Sequence, residues 1–381
     1  MESVERLTMN SFKQKFEEIK AQYNKHNPFN AIVEKKELFS QKPLILYGYG
    51  VYSSTIISLC NELGIEIDAI CDSYKTGIYG DMGMEIISPE RLKNEFRGAN
   101  IIISSNMFSD EIKKSLLSLG FSDTQIYLPT ISKVSFVHPQ EFINEHLEGY
   151  EWAYHFFTDD NSKKVLLDRI RMYFTGIELV RTSAGPEYFD PEIIKLHSNE
   201  VFIDGGCYIG DTVQEFTRQL RIKNTGGHKH IYSFEPDIEA YNKALNNLGE
   251  IENIDLFCKG LWSCDTELKF YSDGGNGSST FANRVNTISV PVISLDSFLG
   301  DKPHGELPTF IKMDIEGAEK EALMGAQKII REKHPKLAIC AYHKPEDIYE
   351  LPKLIYDIDP TYKFYLHQCE NGIYGTILYA I

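Results

Sequence analysis

The sequence predicts an α/β protein of two units, and three observations carry that expectation. A succession of short apolar strand, glycine turn and amphipathic helix begins at Lys42, a second and longer one begins at Val201, and an aromatic-rich helical stretch separates them. With 381 residues, 42% of them hydrophobic and 25% charged, the chain can bury two cores rather than one. The net charge of −16 disfavours nucleic acid as a partner, because displacing counterions from phosphates needs clustered Lys and Arg. No stretch approaches the roughly 20 apolar residues that span a bilayer, and the opening MESVERLTMN lacks the apolar core of a signal peptide. We therefore expect no membrane span and a cytoplasmic location. Cys60, Cys71, Cys207, Cys258, Cys264, Cys340 and Cys369 form no CxxC pair and read as reduced, mostly buried thiols.

In chain order, residues 1–40 read as a helical segment, with Phe12, Phe16, Ile19 and Tyr23 at helical spacing. Residues 41–130 form the first α/β unit. Its LYGYGVYS stretch carries Gly48, Gly50 and then Ser53 where a dinucleotide fingerprint wants a third small residue, and Asp72 follows at the end of a second strand. From Lys42 to Pro129 the unit resembles the small Rossmann-like modules attached to some sugar-modifying and sugar-nucleotide enzymes. Two roles stay open for it: binding a nucleotide-linked substrate, or a scaffold and assembly role, since the missing glycine weakens the approach of the helix to a phosphate. Residues 131–198, with EWAYHFF and KKVLLDRIRMYF, read as a helical connector, and residues 199–381 as the second unit.

The second unit holds the chemistry. In VFIDGGCYIGDT an apolar strand ends at Asp204, and Gly205, Gly206 and Gly210 permit a sharp turn and close approach to a ligand. HIYSFEPD then runs into Glu235 and Pro236, an acid at the tip of the next strand, placed to accept hydrogen bonds from two ribose hydroxyls; a helix cap is the alternative. In PTFIKMDIEGAEKEALMGA another strand ends at Asp314, followed by Glu316 and Gly317. Asp314 is suited to orient or deprotonate a hydroxyl or to favour a cation, whereas both acids would also suit the positive end of a helix. His343, leaving a further strand, reads either as a general base near neutral pH or as a structural imidazole. Near the end, Glu370-Asn371-Gly372 between two apolar stretches predicts a tight hairpin.

EYFDP, VFIDGGCYIGDT, SFEPD, VPVISLDSFL with its Asp296, IKMDIEGAE and TILYA, in this order, resemble the FkbM family of S-adenosylmethionine-dependent methyltransferases over Tyr188 to Ile381. The resemblance implies a class I methyltransferase Rossmann-like sheet of seven strands with the last antiparallel, S-adenosylmethionine as cofactor, and O-methylation of a small-molecule or glycan substrate such as a sugar or natural-product hydroxyl. It implies that Asp204, Gly206, Tyr208 and Gly210 line the methionine part of the cofactor, with Thr212 near its carboxylate, and that Glu235 holds the ribose, with Gly205, Cys207, Pro236 and Gly260 in the same cleft. Trp262, in CKGLW, falls where the adenine edge lies in this fold, with a core tryptophan as the alternative. The family's usual Gly-Ala-Asn appears here as Gly205-Gly206-Cys207, which keeps the turn and changes one side-chain contact. GGNGSST, residues 274–280, is suited to close over substrate or simply to turn.

The expected catalytic residues are Asp314, His343 and Glu316. Their spacing matches no metal motif, so no metal is expected. Two rival readings stand beside this one: an NAD-dependent oxidoreductase working from Gly48, Gly50 and Asp72, and a non-catalytic nucleoside-binding or assembly protein. A homo-oligomer is compatible with the sequence.

Overall fold

Strands that are apolar along their whole length and joined by helices are buried on both faces, and such strands pair in parallel. Leu44–Tyr47 and Asn100–Ile103, each buried throughout, are of this kind. The structure is a computed structural model that describes residues 12–23, 30–79, 83–105, 108–128, 139–271, 287–300 and 307–381. The chain divides into two units, residues 1–145 with 167–178 and residues 146–166 with 179–381.

In the first unit the strands are β1 (Leu44–Tyr47), β2 (Ala69–Cys71), β3 (Gly77–Tyr79), β4 (Met84–Ile87), β5 (Asn100–Ile103) and β6 (Ile126–Tyr127), in the spatial order β3-β4-β2-β1-β5-β6. Only the β3–β4 pair is antiparallel. Residues 12–23 form the expected helix, which lays Phe16 and Tyr23 edge-on against Phe174.

The second unit contains β7 (Val201–Gly205), β8 (His230–Phe234), β9 (Ile254–Phe257), β10 (Gly260–Leu261), β11 (Thr266–Tyr271), β12 (Thr287–Ile293), β13 (Phe310–Met313), β14 (Lys336–Cys340), β15 (Phe364–Gln368) and β16 (Thr376–Ala380). Seven of them make one sheet in the order β15-β16-β14-β13-β7-β8-β9. β16 runs antiparallel to both neighbours, and the other pairings are parallel. Under β7 and β13 the rings of Phe202, Phe216, Phe310 and Phe189 pack together, Phe202 stacking on Phe216 at 4.5 Å. This aromatic layer fixes the register of the two strands whose tips carry the site: Asp204 pairs with Lys312, and Gly205 with Met313.

VPVISLDSFL does not enter the main sheet: β12 pairs with β10 and β11 in a separate three-stranded sheet. Its Asp296 lies on a short helix and accepts the N–H groups of Lys328 and Ile329, capping the next helix. Asn371-Gly372 is not a tight hairpin turn, because Cys369 to Gly375 connects β15 to β16 and Gly372 bridges to Leu179 instead. The GGNGSST stretch lies outside the described residues.

Candidate functional site

The turn after β7 is held from below by one lysine. Lys312, in the middle of β13 and 1% exposed, donates to the carbonyls of Gly205 and Gly206 at 3.1 and 2.7 Å and lies 3.0 Å from Asp204 Oδ1. Burial works against its charge, but Asp204 and Asp314 more than offset it, and the ammonium stays protonated. Its Nζ also lies 5.2 Å from the centre of the Tyr188 ring. Asp204, 0% exposed, therefore acts on the turn through Lys312 and does not line a ligand surface as expected. Cys207 is corrected in the same way: it is 1% exposed and packs in the core with Phe216 and Val213.

The glycines serve the fold more than the ligand. A Cβ on Gly206 would stand 1.8 Å from the Asp314 carbonyl oxygen, one on Gly205 2.8 Å from Leu261, and one on Gly210 2.7 Å from Leu248. Gly206 and Gly210 also have φ of 76° and 90°. The expected reason, room for a ligand, gives way to a tighter one: the turn packs directly on the tip of β13. Gly210 opens the helix Asp211–Ile222, and among the described residues no side chain caps it.

Glu235 follows β8 directly, each carboxylate oxygen taking one backbone N–H, Oε2 from Tyr208 and Oε1 from Asp237, both at 2.8 Å. It is not the helix cap, because Asp237 caps the following helix through Glu239 and Ala240. Burial pushes the Glu235 carboxyl up to about 7. Tyr208, strained at φ 47°, turns its ring outward and is 50% exposed. Pro236 and Gly260 adjoin one another, and Trp262 is half-buried, its backbone N–H donating to the Ile293 carbonyl.

At the tips of β13 and β14 the structure gathers Asp314, Glu316 and His343 and adds groups that sequence reasoning missed. Asp314 accepts the hydroxyls of Tyr188 and Tyr342 at 2.8 and 3.1 Å. Burial pushes this carboxyl up, but Lys312, His343 and the Tyr188 hydroxyl hold it below its ordinary value. His343 places Nε2 at 3.4 Å from Asp314 and 3.7 Å from Glu316, and Nδ1 at 2.9 Å from Glu319, itself 0% exposed. Burial alone would lower the imidazole; Glu319, Asp314 and Glu316 outweigh it and raise it to about 9. The surrounding acids thus favour the protonated ring over the neutral one that a general base requires. Nearby, burial and Asp314 push the Glu187 carboxyl up to about 7. Tyr188 and Glu316, with φ of 64° and 56°, add two more strained residues to Tyr208 at this rim. The missed signal was Lys312: a lone charge inside an apolar strand buried on both faces needs a buried partner.

The glycine turn of the first unit is self-satisfied. The Ser53 hydroxyl accepts from Gly50 N–H at 2.9 Å and donates to the Gly48 carbonyl at 2.7 Å. Asp72 accepts three backbone N–H groups, from Tyr49, Tyr74 and Lys75. The Gly50 N–H and most of the acceptor capacity of Asp72 are thus already engaged within the unit.

The crystal structure of the FkbM methyltransferase of Methylobacillus flagellatus KT matches this chain with a TM-score of 0.63, covering 98% of this chain and 100% of that one at 19% identity, and so shows a shared fold. The 2-O-methyltransferase NoeI of Sinorhizobium fredii (strain NBRC 101917 / NGR234) is 23% identical over 199 residues, 47% of this chain and 78% of NoeI. Residues 204–364, which include the tips of β8, β13 and β14, match the Methyltransferase FkbM domain. Among the described residues no helix is long and apolar enough to cross a membrane.

Proposed function

We propose that the second unit methylates a hydroxyl oxygen of a sugar, glycan or other small molecule, with S-adenosylmethionine as the donor. Glu235 carries the reading. A buried carboxylate has about four acceptor sites; backbone N–H groups occupy two here, leaving one on each oxygen for adjacent ribose hydroxyls. The uncapped N–H groups after Gly210, with Thr212, suit the cofactor's carboxylate, and Tyr208 and Trp262 offer apolar faces to the rest of it. The bound cofactor supplies an electrophilic methyl group. Asp314, fixed by two tyrosine hydroxyls, receives the acceptor's O–H and aims the oxygen. A carboxylate held below its ordinary value is too weak to ionise an alcohol beforehand, yet it suffices once the C–O bond forms and the oxygen becomes strongly acidic. The name of NoeI, a 2-O-methyltransferase, supports oxygen as the acceptor.

Calorimetry with S-adenosylmethionine and with NAD tests the donor, and mass spectrometry of sugars and glycans for a gain of about 14 mass units tests the acceptor. Saturable binding of S-adenosylmethionine alone is expected. Binding of NAD instead would overturn the proposal.

A further inference from the structure

We propose that Asp314, Glu319 and His343 form a binding site for a divalent first-row transition cation such as Mn2+ or Zn2+. One ligand atom from each residue lies within 4.8 Å of the other two. Neighbouring ligand atoms around a bound cation stand roughly 3–3.6 Å apart for metal–ligand distances of about 2.2 Å, so the three side chains would draw inward to close on the ion. An imidazole with two carboxylates is a donor set that suits manganese, iron or zinc better than calcium.

The second, independent observation is Glu319. It is 0% exposed, its Oε1 accepts the Ile315 N–H at 2.9 Å, and its Oε2 has no hydrogen-bond partner among the described residues. A buried carboxylate oxygen left without a partner is costly and rare. A cation beside His343 would give that oxygen its missing contact. The three residues come from separate elements: Asp314 from the tip of β13, Glu319 from the helix Glu319–Met324, and His343 from the exit of β14. Tyr188 and Tyr342 already orient Asp314, as outer partners orient the ligands of metal centres. Glu316, 57% exposed on its side chain, adds a further carboxylate 3.7 Å from His343 Nε2. Because Asp314 borders the acceptor side of the crevice, a cation there would also face the acceptor hydroxyl; that consequence, unlike the site itself, rests on the function proposed above.

Protein stripped with a chelator is titrated with Mn2+ under electron paramagnetic resonance and with Zn2+ in a calorimeter. A single saturable site per chain is expected, with affinity lowered about tenfold or more in Glu319→Gln and in His343→Gln and unchanged in Asp72→Asn, a carboxylate of the first unit. Circular dichroism confirms that each variant is folded, and the parent titration decides even where a variant is not. Absence of saturable binding of both ions, or equal affinity in the parent and in folded variants, overturns the site and leaves a plain Asp–His–Glu ion-pair chain. S-adenosylmethionine is titrated separately into the stripped protein, so failure of the cation site and failure of the methyl-transfer reading give different results.

Discussion

The protein carries two glycine turns at the ends of apolar parallel strands, and they are built on opposite principles. In the first unit the turn after β1 closes on itself: Ser53 takes the Gly50 N–H, and Asp72 is engaged by three main-chain amides. In the second unit the turn after β7 is braced from beneath by Lys312, and beside it stands a carboxylate, Glu235, with acceptor capacity to spare. What separates a binding turn from a structural one is where its polar groups are already spent, and glycine spacing alone does not reveal that.

The largest effect expected from this contrast is at Lys312. Replacing it by Met leaves Asp204 buried and unpaired, which costs about 3–5 kcal/mol; urea unfolding reads the loss, and a parent-like midpoint would contradict the brace. Next come paired glycine substitutions. Gly206→Ala drives a Cβ into the Asp314 carbonyl and should cost about 1–3 kcal/mol or more, whereas Gly50→Ala, at φ −152° with no described atom within 4 Å, should stay within about 0.5 kcal/mol. Equal losses at the two sites would erase the distinction. Glu235→Gln should weaken S-adenosylmethionine binding about tenfold, or ~1.4 kcal/mol, and Asp72→Asn should leave it unchanged in the same calorimetric titration.

The smallest effect is a pH slope. His343 rises from 6.5 to about 9 on folding, so its stabilising contribution is complete below pH 6.5 and is lost as pH rises through 9. Glu235 and Glu187, raised from 4.5 to about 7 first of all by burial, act in the same direction, their contribution fading as pH rises through 7. Stability measured by urea should therefore fall between pH 6.5 and 9, and His343→Gln should flatten the upper part of that fall. A rise over this interval would show that the histidine is not held by its acids.

The strand tips were legible because buried parallel strands advertise themselves as unbroken apolar runs, and an acid directly after such a run stands out: Asp204, Glu235 and Asp314 were found this way. What those acids touch was not legible. Asp204 looked like a ligand contact because sequence spacing does not reveal which face of the turn a carboxylate takes. Glu319 does not stand out in the sequence, since only the fold brings His343 to it. Asp296 shows the converse, being an acid after an apolar strand that belongs to a side sheet. The Asn371-Gly372 pair carried a sound local turn signal that tertiary pairing with Leu179 overrode.

The order of the last strands has a kinetic consequence. β15 meets the main sheet only through β16, which lies between it and β14. β15 is therefore without a partner until the closing strand arrives, and nearby pairings form faster than distant ones because less chain must be closed into a loop. The two strands are accordingly expected to zip together first and to dock against β14 as a preassembled ribbon, making this edge the last part of the sheet to become protected from solvent during refolding.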